Sequence, residues 1–434
     1  RFPVGKFGHI GETYVDAPFP RHHSLFHVQV ITLRPHQNRA LEAMTVSNKG
    51  QVIIPTGGGK TFVMIKHAQQ LCASNRQSIV VVAPRILLAQ QLCEDFDAHI
   101  DAKVIHCHSG RTRFINTTNS DTINDWHYTN RDYNRIIFTT YHSLHKIVES
   151  GIHIDSIYFD EAHNSTSKQF FYPTAQVVAT RAYFFTATPK TSNSSYRGMN
   201  NSDVYGDILI SVPAQELMKS GAIIPPKVIT YETNTHFSRE NAHVHHAKTI
   251  EDVVDSLPES QASKILVSVP SSRILGNIIT KTMLLKELYK QGYDVLHITS
   301  KFGAYVNATK VNRTEFFRVL NEWGSDNNKK FVIFHYSILS EGINVSGLTH
   351  SILLRNLNVV EMAQTVGRVI RLHKEDSQRI RNGEVAAGCF AMYKKPCGYV
   401  TIPVHKSYGK KTHSRIQNVV DAIFNKGIPP LALV

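Results

Sequence analysis

The sequence predicts an α/β protein of two tandem domains, each a parallel sheet flanked by helices, and three patterns predict it. Short β-branched or aromatic runs alternate with helix-like stretches, the order that lays strands side by side in parallel. That alternation occurs twice along the chain. Between the two sets, Gly221-Ala222-Ile223-Ile224-Pro225-Pro226 interrupts helical continuity, because paired prolines and a glycine favour an extended connection. The division therefore falls at residues 1–222 and 223–434, and 434 residues suit two domains of ordinary size.

In the first set, the runs at residues 52–54, 78–82, 135–139, 156–159 and 182–185 read as strands. The polar stretch 109–134, rich in Asn, Thr and Asp, reads as a surface insertion between two of them. In the second set, strands are expected at 264–269, 294–298, 330–334 and 349–354, with one helical pattern over 272–291. No internal repeat, heptad array or low-complexity tail is present.

The first strand runs into Pro55-Thr56-Gly57-Gly58-Gly59-Lys60-Thr61. Glycines permit backbone angles that a Cβ forbids, so successive N–H groups can turn toward phosphate oxygens beside a helix N-terminus. Lys60 would then supply charge to the terminal phosphates, and Thr61 a hydroxyl to the Mg²⁺ that those phosphates share. ATP and Mg²⁺ are the ligands this pattern calls for. Ile54 stands where the general phosphate-loop pattern carries another glycine, so the match is to a narrower Pro-Thr variant.

Further along, Tyr158-Phe159-Asp160-Glu161-Ala162-His163 ends an apolar strand in two carboxylates and a histidine. Ligands bind at the C-terminal edge of parallel strands. Asp160 is placed to hold Mg²⁺, directly or through water, and Glu161 to share in that site while orienting and deprotonating an attacking water. Arg368 and Arg371 sit three residues apart, so a helix presents both on one face.

Bulk properties point to a polyanionic partner. Forty-eight Lys and Arg against thirty-four Asp and Glu give a net charge of +14. Hydrophobic residues make up 42% and charged residues 19%, which argues against extended disorder. The five cysteines are widely spaced and contain no Cys-x-x-Cys pair, so neither a disulfide framework nor a zinc ribbon is expected. No apolar run is long enough to span a bilayer and no secretion signal opens the sequence, so a cytoplasmic site is expected, the host's if the source is viral. The chain begins at Arg1, as a trimmed or processed chain would. Among 24 histidines, His106/His108 and His243/His245/His246 form local clusters, read as solvated surface in preference to metal ligands.

Taken together, these segments resemble the motor core of superfamily 2 helicases. The phosphate loop is similar to motif I, Asp160-Glu161-Ala162-His163 to a DEAH-type motif II, and Thr186-Ala187-Thr188-Pro189 to motif III, which couples nucleotide state to nucleic-acid contacts. Leu33-Arg34-Pro35-His36-Gln37 resembles the upstream segment in which Gln37 reads the adenine edge, with Arg34 beside it. Ser340-Glu341-Gly342-Ile343-Asn344-Val345 resembles motif V, where Asn344 replaces a common Asp, and Gln364-Thr365-Val366-Gly367-Arg368-Val369-Ile370-Arg371 resembles motif VI. The resemblance implies two RecA-like domains with ATP between them. Gln364, Arg368 and Arg371 would reach the γ-phosphate, His163 would join the catalytic set, and Glu341, Gly342 and Asn344 would line the nucleotide.

For nucleic acid, the same resemblance implies contacts at Pro84 and Arg85, similar to motif Ia, at Thr140 and Tyr141, similar to motif Ib, and at Ser271 and Ser272, similar to motif IV. Ser300 and Lys301, at the end of a second-domain strand, suit a further phosphate contact, although each hydroxyl could equally cap a helix. Ser202-Asp203-Val204-Tyr205-Gly206, the following Ala214-Gln215-Glu216 and the run from Lys395 to Val404 resemble the helicase part of large translocating restriction-type enzymes and their relatives. Compact helicases of this kind occur in phages. Residues 84–89 lack the Pro-Thr-Arg-Glu-Leu-Ala segment of DEAD-type RNA helicases, which favours DNA over RNA.

The expected activity is thus an ATP-dependent DNA helicase or translocase acting on single-stranded, duplex or branched DNA. An RNA helicase, an ATP-gated clamp, and a motor subunit served by a separate nuclease remain alternatives. A monomer is the simplest expected state, and recombination or replication proteins are further candidate partners.

Overall fold

The computed structural model describes residues 32–434 apart from 195, 234–237, 239, 258–262, 300, 337–346, 356, 406–413, 415–416, 429–431 and 434. The first lobe is built from β1 (Lys49–Ile53), β2 (Ser78–Ala83), β3 (Lys103–Cys107), β4 (Ile115–Asn116), β5 (Arg135–Thr140), β6 (Ser156–Phe159), β7 (Arg181–Thr186) and β9 (Asp207–Ser211), with the two-residue β8 (Lys190–Thr191) standing aside. The sheet order is β4-β3-β5-β2-β6-β7-β1-β9, and every pairing is parallel. Strands β2, β5 and β6 are buried along their whole length. Helices cover both faces of such a sheet, so its central strands read as unbroken apolar runs rather than as an alternation.

The second lobe repeats the plan with β10 (Pro226–Thr233), β11 (Lys264–Ser268), β12 (Asp294–Thr299), β13 (Gly303–Val306), β14 (Thr309–Val311), β15 (Phe331–His335), β16 (His350–Leu353) and β17 (Gly398–His405). Its order is β10-β17-β16-β11-β15-β12-β13-β14. The strands are parallel as far as β12, and β13 and β14 then extend the edge as an antiparallel hairpin. At its turn Asn307 takes φ 52°, a left-handed conformation that Asn tolerates better than most residues. The side chain anchors the turn by accepting from Val295 N at 2.8 Å.

The expected strands all form, with ends within three residues of those anticipated. Three regions differ from the expectation. The pattern over 272–291 is two helices, Ser272–Lys281 and Leu284–Lys290, because the Thr282 hydroxyl bonds back to Ile278 O at 2.6 Å and so competes with helix continuation. The insertion 109–134 is largely regular: it supplies β4 and the helix Ser120–Thr129, capped by Asn119 accepting from Thr122 N at 2.8 Å. His106 and His108 are buried, not solvated, with His106 stacked between Phe114 and Phe138 at 5.7 and 5.5 Å. Among the described residues no group of His, Cys, Asp and Glu has the makings of a metal site. Nor is any described helix long and apolar enough to cross a membrane.

Two connections tie the lobes together. The linker is held in place rather than loose: Ile224 N donates to Ile370 O at 2.9 Å, and Ile223 bridges Arg371 in antiparallel fashion. Far downstream, β18 (Ala432–Leu433) returns to pair in parallel with β8, so the tail of the second half is strapped onto the first lobe.

Candidate nucleotide site and nucleic-acid face

The phosphate loop leaves β1 and enters the helix Lys60–Ser74 through Gly59, whose φ of 80° is open to glycine at little cost. Gly57 is likewise left-handed at 87°. Next to the loop lies the helix Pro35–Val46. Here Gln37 Nε2 donates to Gly58 O and Gly59 O, both at 3.2 Å, while its Oε1 accepts from Arg34 N at 2.8 Å. The amide expected to read adenine is therefore used on the loop itself. His36 Nε2 donates to Gly58 O at 2.8 Å, which fixes the tautomer and leaves Nδ1 buried without a hydrogen bond. Sequence reasoning missed His36, since nothing in the pattern separates it from an ordinary helix residue.

At the end of β6, Asp160 and Glu161 are both buried, at 6% and 7% exposure. Glu161 adopts φ 47°, ψ 51°, a left-handed conformation that costs a residue with a Cβ of order 1 kcal/mol. Its Oε1 lies 3.6 Å from Lys60 Nζ and its Oε2 3.5 Å from His163 Nδ1. Burial alone would raise the Glu161 carboxyl, but Lys60, His163 and Arg368 outweigh it and hold the group low. Asp160 moves the other way, raised by burial and by the neighbouring Glu161 charge. The two carboxylates are thus driven apart, one kept ionised as a base must be.

His163 links this pair to the next strand end. Its Nδ1 is 3.0 Å from Thr186 Oγ1 and 3.2 Å from Thr188 Oγ1, and Thr188 N donates to Thr186 Oγ1 at 3.0 Å. Burial lowers the imidazole to about 4, so it is neutral near pH 7. Thr186 and Thr188 are fully buried and Ala187 nearly so, and both threonine hydroxyls meet His163.

From the second lobe, the helix Val359–Val369 brings Gln364, Gly367 and Arg368 to the same seam. A Cβ on Gly367 would stand 2.6 Å from Thr56 Cβ, so only glycine lets this helix approach the phosphate loop so closely. Arg368 is 4% exposed and interacts electrostatically with Glu161 across the seam. Burial and the neighbouring Arg371 lower its guanidinium to about 9, and burial lowers Arg371 to about 10, so both stay charged near pH 7. Behind them the buried Lys395 donates to Arg371 O at 2.9 Å and also to Leu348 O. Its backbone N–H donates to Asp376 Oδ2 at 3.1 Å.

Glu161 Oε2, Gln364 Nε2 and Arg371 Nε are buried with no hydrogen-bond partner in the protein. Such groups are costly unless something polar meets them. The Gln364 and Arg371 donors suit triphosphate oxygens, and Thr61, Asp160 and Glu161 offer the hard oxygens that Mg²⁺ prefers. Glu341, Gly342 and Asn344 lie outside the described residues.

The nucleic-acid expectations divide by lobe. In the first lobe Arg85 is exposed, but Pro84 and Thr140 are buried. Tyr141, 1% exposed, packs near Phe159 and Phe170, and its hydroxyl donates to Asp160 O at 2.9 Å. This corrects its expected role: Tyr141 braces the carboxylate strand from within and presents nothing to a nucleic acid. In the second lobe Ser271 caps its helix by accepting from Ile274 N at 3.1 Å, and both Ser271 and Ser272 are half-buried. Lys301 is exposed, and Ser300 lies outside the described residues.

Residues 30–191 match the family model described as Type III restriction enzyme, res subunit, which covers less than half of the chain. No curated protein matches the sequence. Among solved structures, an ATP-dependent Type ISP restriction-modification enzyme, LlaBIII, bound to DNA is similar over 93% of this chain and 31% of its own, at 17% identity and a TM-score of 0.68. A nuclease-deletion mutant of the Type ISP enzyme LlaGI, in complex with a DNA substrate mimic, matches over 92% and 30%, at 18% identity and 0.60. A fragment structure given as an HsdR subunit of a type I restriction enzyme from Vibrio vulnificus YJ016 matches over 92% and 67%, at 16% and 0.57. The fold is therefore the tandem RecA-like arrangement of restriction-enzyme helicase domains. The chain spans under a third of the two Type ISP proteins.

Proposed function

We propose that this chain is an ATP-hydrolysing motor of superfamily 2 that moves on or remodels DNA. One observation carries the reading: Lys60 and Glu161 from one lobe share a buried seam with Arg368 from the other, and Glu161 feels that guanidinium. A triphosphate bound to the loop would touch both lobes, so turnover would couple to their approach and separation. Asp160-Glu161-Ala162-His163 favours the DEAH type, and the contacts of His163 with Thr186 and Thr188 would give a route from nucleotide to motif III. Thr61, Asp160 and Glu161 would hold Mg²⁺, which supplies charge neutralisation on the phosphates. Gln37 would exchange its phosphate-loop carbonyls for the adenine edge when nucleotide binds. We place the lobe boundary at 222/223.

DNA is favoured over RNA by the restriction-type architecture, while the +14 charge suits either polyanion. A second reading, a motor subunit of a larger restriction-type assembly, is favoured by the small share of the Type ISP proteins that the chain spans. ATP hydrolysis measured with single-stranded, duplex and branched DNA and with RNA tests the proposal. Stimulation by a DNA effector supports it, RNA-selective stimulation transfers it to the RNA reading, and equal rates with every effector and with none overturn it. Strand displacement measured alongside separates unwinding from translocation.

A further inference from the structure

The C-terminal edge of the second-lobe sheet carries two exposed aromatic rings, each with a cation over it. Phe302 follows β12 and is 39% exposed, with Lys301 Nζ 5.5 Å from its ring centroid. Tyr336 follows β15 and is 37% exposed, with the Arg355 guanidinium carbon 5.2 Å from its ring. Strands β12 and β15 are parallel neighbours in which Ile298 stands opposite His335, so both rings leave the same edge from adjacent strands. The ring of Phe302 is held against the helix Ser272–Lys281, 3.3 Å from where a Cβ on Gly276 would stand. That is the helix capped by Ser271, so Phe302 lies on the helix that the motif IV-like segment begins. Lys310 and Arg313, both exposed, lie on and just beyond β14, and Lys310 reaches back over Gly303. Arg355 shares its charge with Glu361 at 2.9 Å.

One side of Phe302 packs on the helix Ser272–Lys281, yet Phe302 and Tyr336 stay 39% and 37% exposed. At the corresponding end of β5 in the first lobe, Tyr141 turns inward and is almost wholly buried. Aromatic faces interleaved with cations on an exposed edge are what an unpaired nucleic-acid strand recognises: bases stack on the rings while Lys and Arg track the phosphates. Base-paired DNA shields its base faces and could use only the cations.

We infer that Phe302 and Tyr336 form a base-stacking subsite for unpaired nucleic acid on the second lobe, flanked by Lys301 and Arg355. This rests on the motor reading and deepens it, since it makes the lobe grip bases as well as backbone. Stacking on one aromatic ring changes affinity by about fivefold to more than a hundredfold.

The test is a fluorescence-anisotropy comparison of a thymidine oligonucleotide with an abasic strand of equal length, so that phosphates are matched and bases are not. The expected result is that the protein binds the thymidine strand at least about tenfold more tightly, and that the Phe302→Ala, Tyr336→Ala double variant binds both strands equally, at the abasic level. Phe302→Trp and Tyr336→Phe should keep the preference. A uridine strand run in parallel distinguishes RNA from DNA as the source of the bases. Equal binding of the thymidine and abasic strands by the unaltered protein overturns the subsite without reference to any variant. So does a double variant that retains the preference. If effectors still stimulate ATP hydrolysis in either case, the motor reading stands. Binding neither strand, with no stimulation by any effector, overturns both.

Discussion

The two lobes share a sheet plan yet spend its C-terminal edge differently. In the first lobe that edge is turned inward: Asp160, Glu161, Thr186 and Thr188 are buried and knitted to Lys60 and His163, and Tyr141 braces them from beneath. In the second lobe Phe302, Tyr336 and Lys301 are exposed, and Gln364, Gly367 and Arg368 reach the seam from a helix rather than a strand end. Position on a fold thus does not assign a ligand; the direction of the side chains does.

Removing the second lobe's contribution to the seam should show the largest effect. Arg368→Ala is expected to lower ATP turnover by about 10³-fold or more while nucleotide binding persists, read by phosphate release against equilibrium nucleotide titration. Normal turnover in that variant would break the cross-lobe assignment. Glu161→Gln, on the opposing side, should cost about 10²- to 10⁴-fold in turnover with ATP retained, since amide for carboxylate keeps the shape and removes the base. Loss of nucleotide binding there would instead mark Glu161 as a ligand alone.

Acid should treat the lobes alike. Burial lowers His67, His106 and His163 in one lobe and His297 and His350 in the other to about 4, and His335 to about 3. Their folded values lie below the unfolded value near 6.5, so the unfolded chain takes up protons first as pH falls. Stability is therefore lost from about pH 6.5 down to about pH 4, by roughly 1–2 kcal/mol per residue at pH 5 relative to pH 7. Thermal melts across that range should show both lobes weakening, and a transition in one lobe that ignores pH would sharpen the contrast between them. The smallest effect is expected from Tyr141→Phe. It should cost about 1 kcal/mol in urea unfolding through the lost bond to Asp160 O, and leave DNA affinity unchanged. A fall in DNA affinity would restore Tyr141 to the outer face.

Much of this was legible in the sequence because central parallel strands are continuous apolar runs and strand ends carry the chemistry. Val52, Ile79, Ile136, Ile157 and Phe184 announce their strands, and Gly57 to Thr61 announce the loop. The hairpin of β13 and β14 was missed because strands of four and three residues hold too little alternation to read. The pairing of β18 with β8 was missed because two residues carry no period at all. Tyr141 was misread since a tyrosine after a strand has the same letter whether its hydroxyl meets solvent or Asp160 O. Gln37 was placed beside adenine by resemblance, whereas its bonds to Gly58 O and Gly59 O depend on how one helix leans on a loop. Lys395 opened a recognised run, but its burial gave no signal, because a buried lysine satisfied by carbonyl oxygens looks in sequence like any surface lysine.

The left-handed backbone at Glu161 has a consequence for how this protein can change over time. A glycine would rest in that conformation without strain, but it would leave Lys60 and the buried Arg368 without the carboxylate that faces them. Such a descendant would relax its backbone and lose the base proposed for hydrolysis. The carboxylate is maintained against the grain of the fold, and its persistence in any descendant would be a record that the engine was still in use.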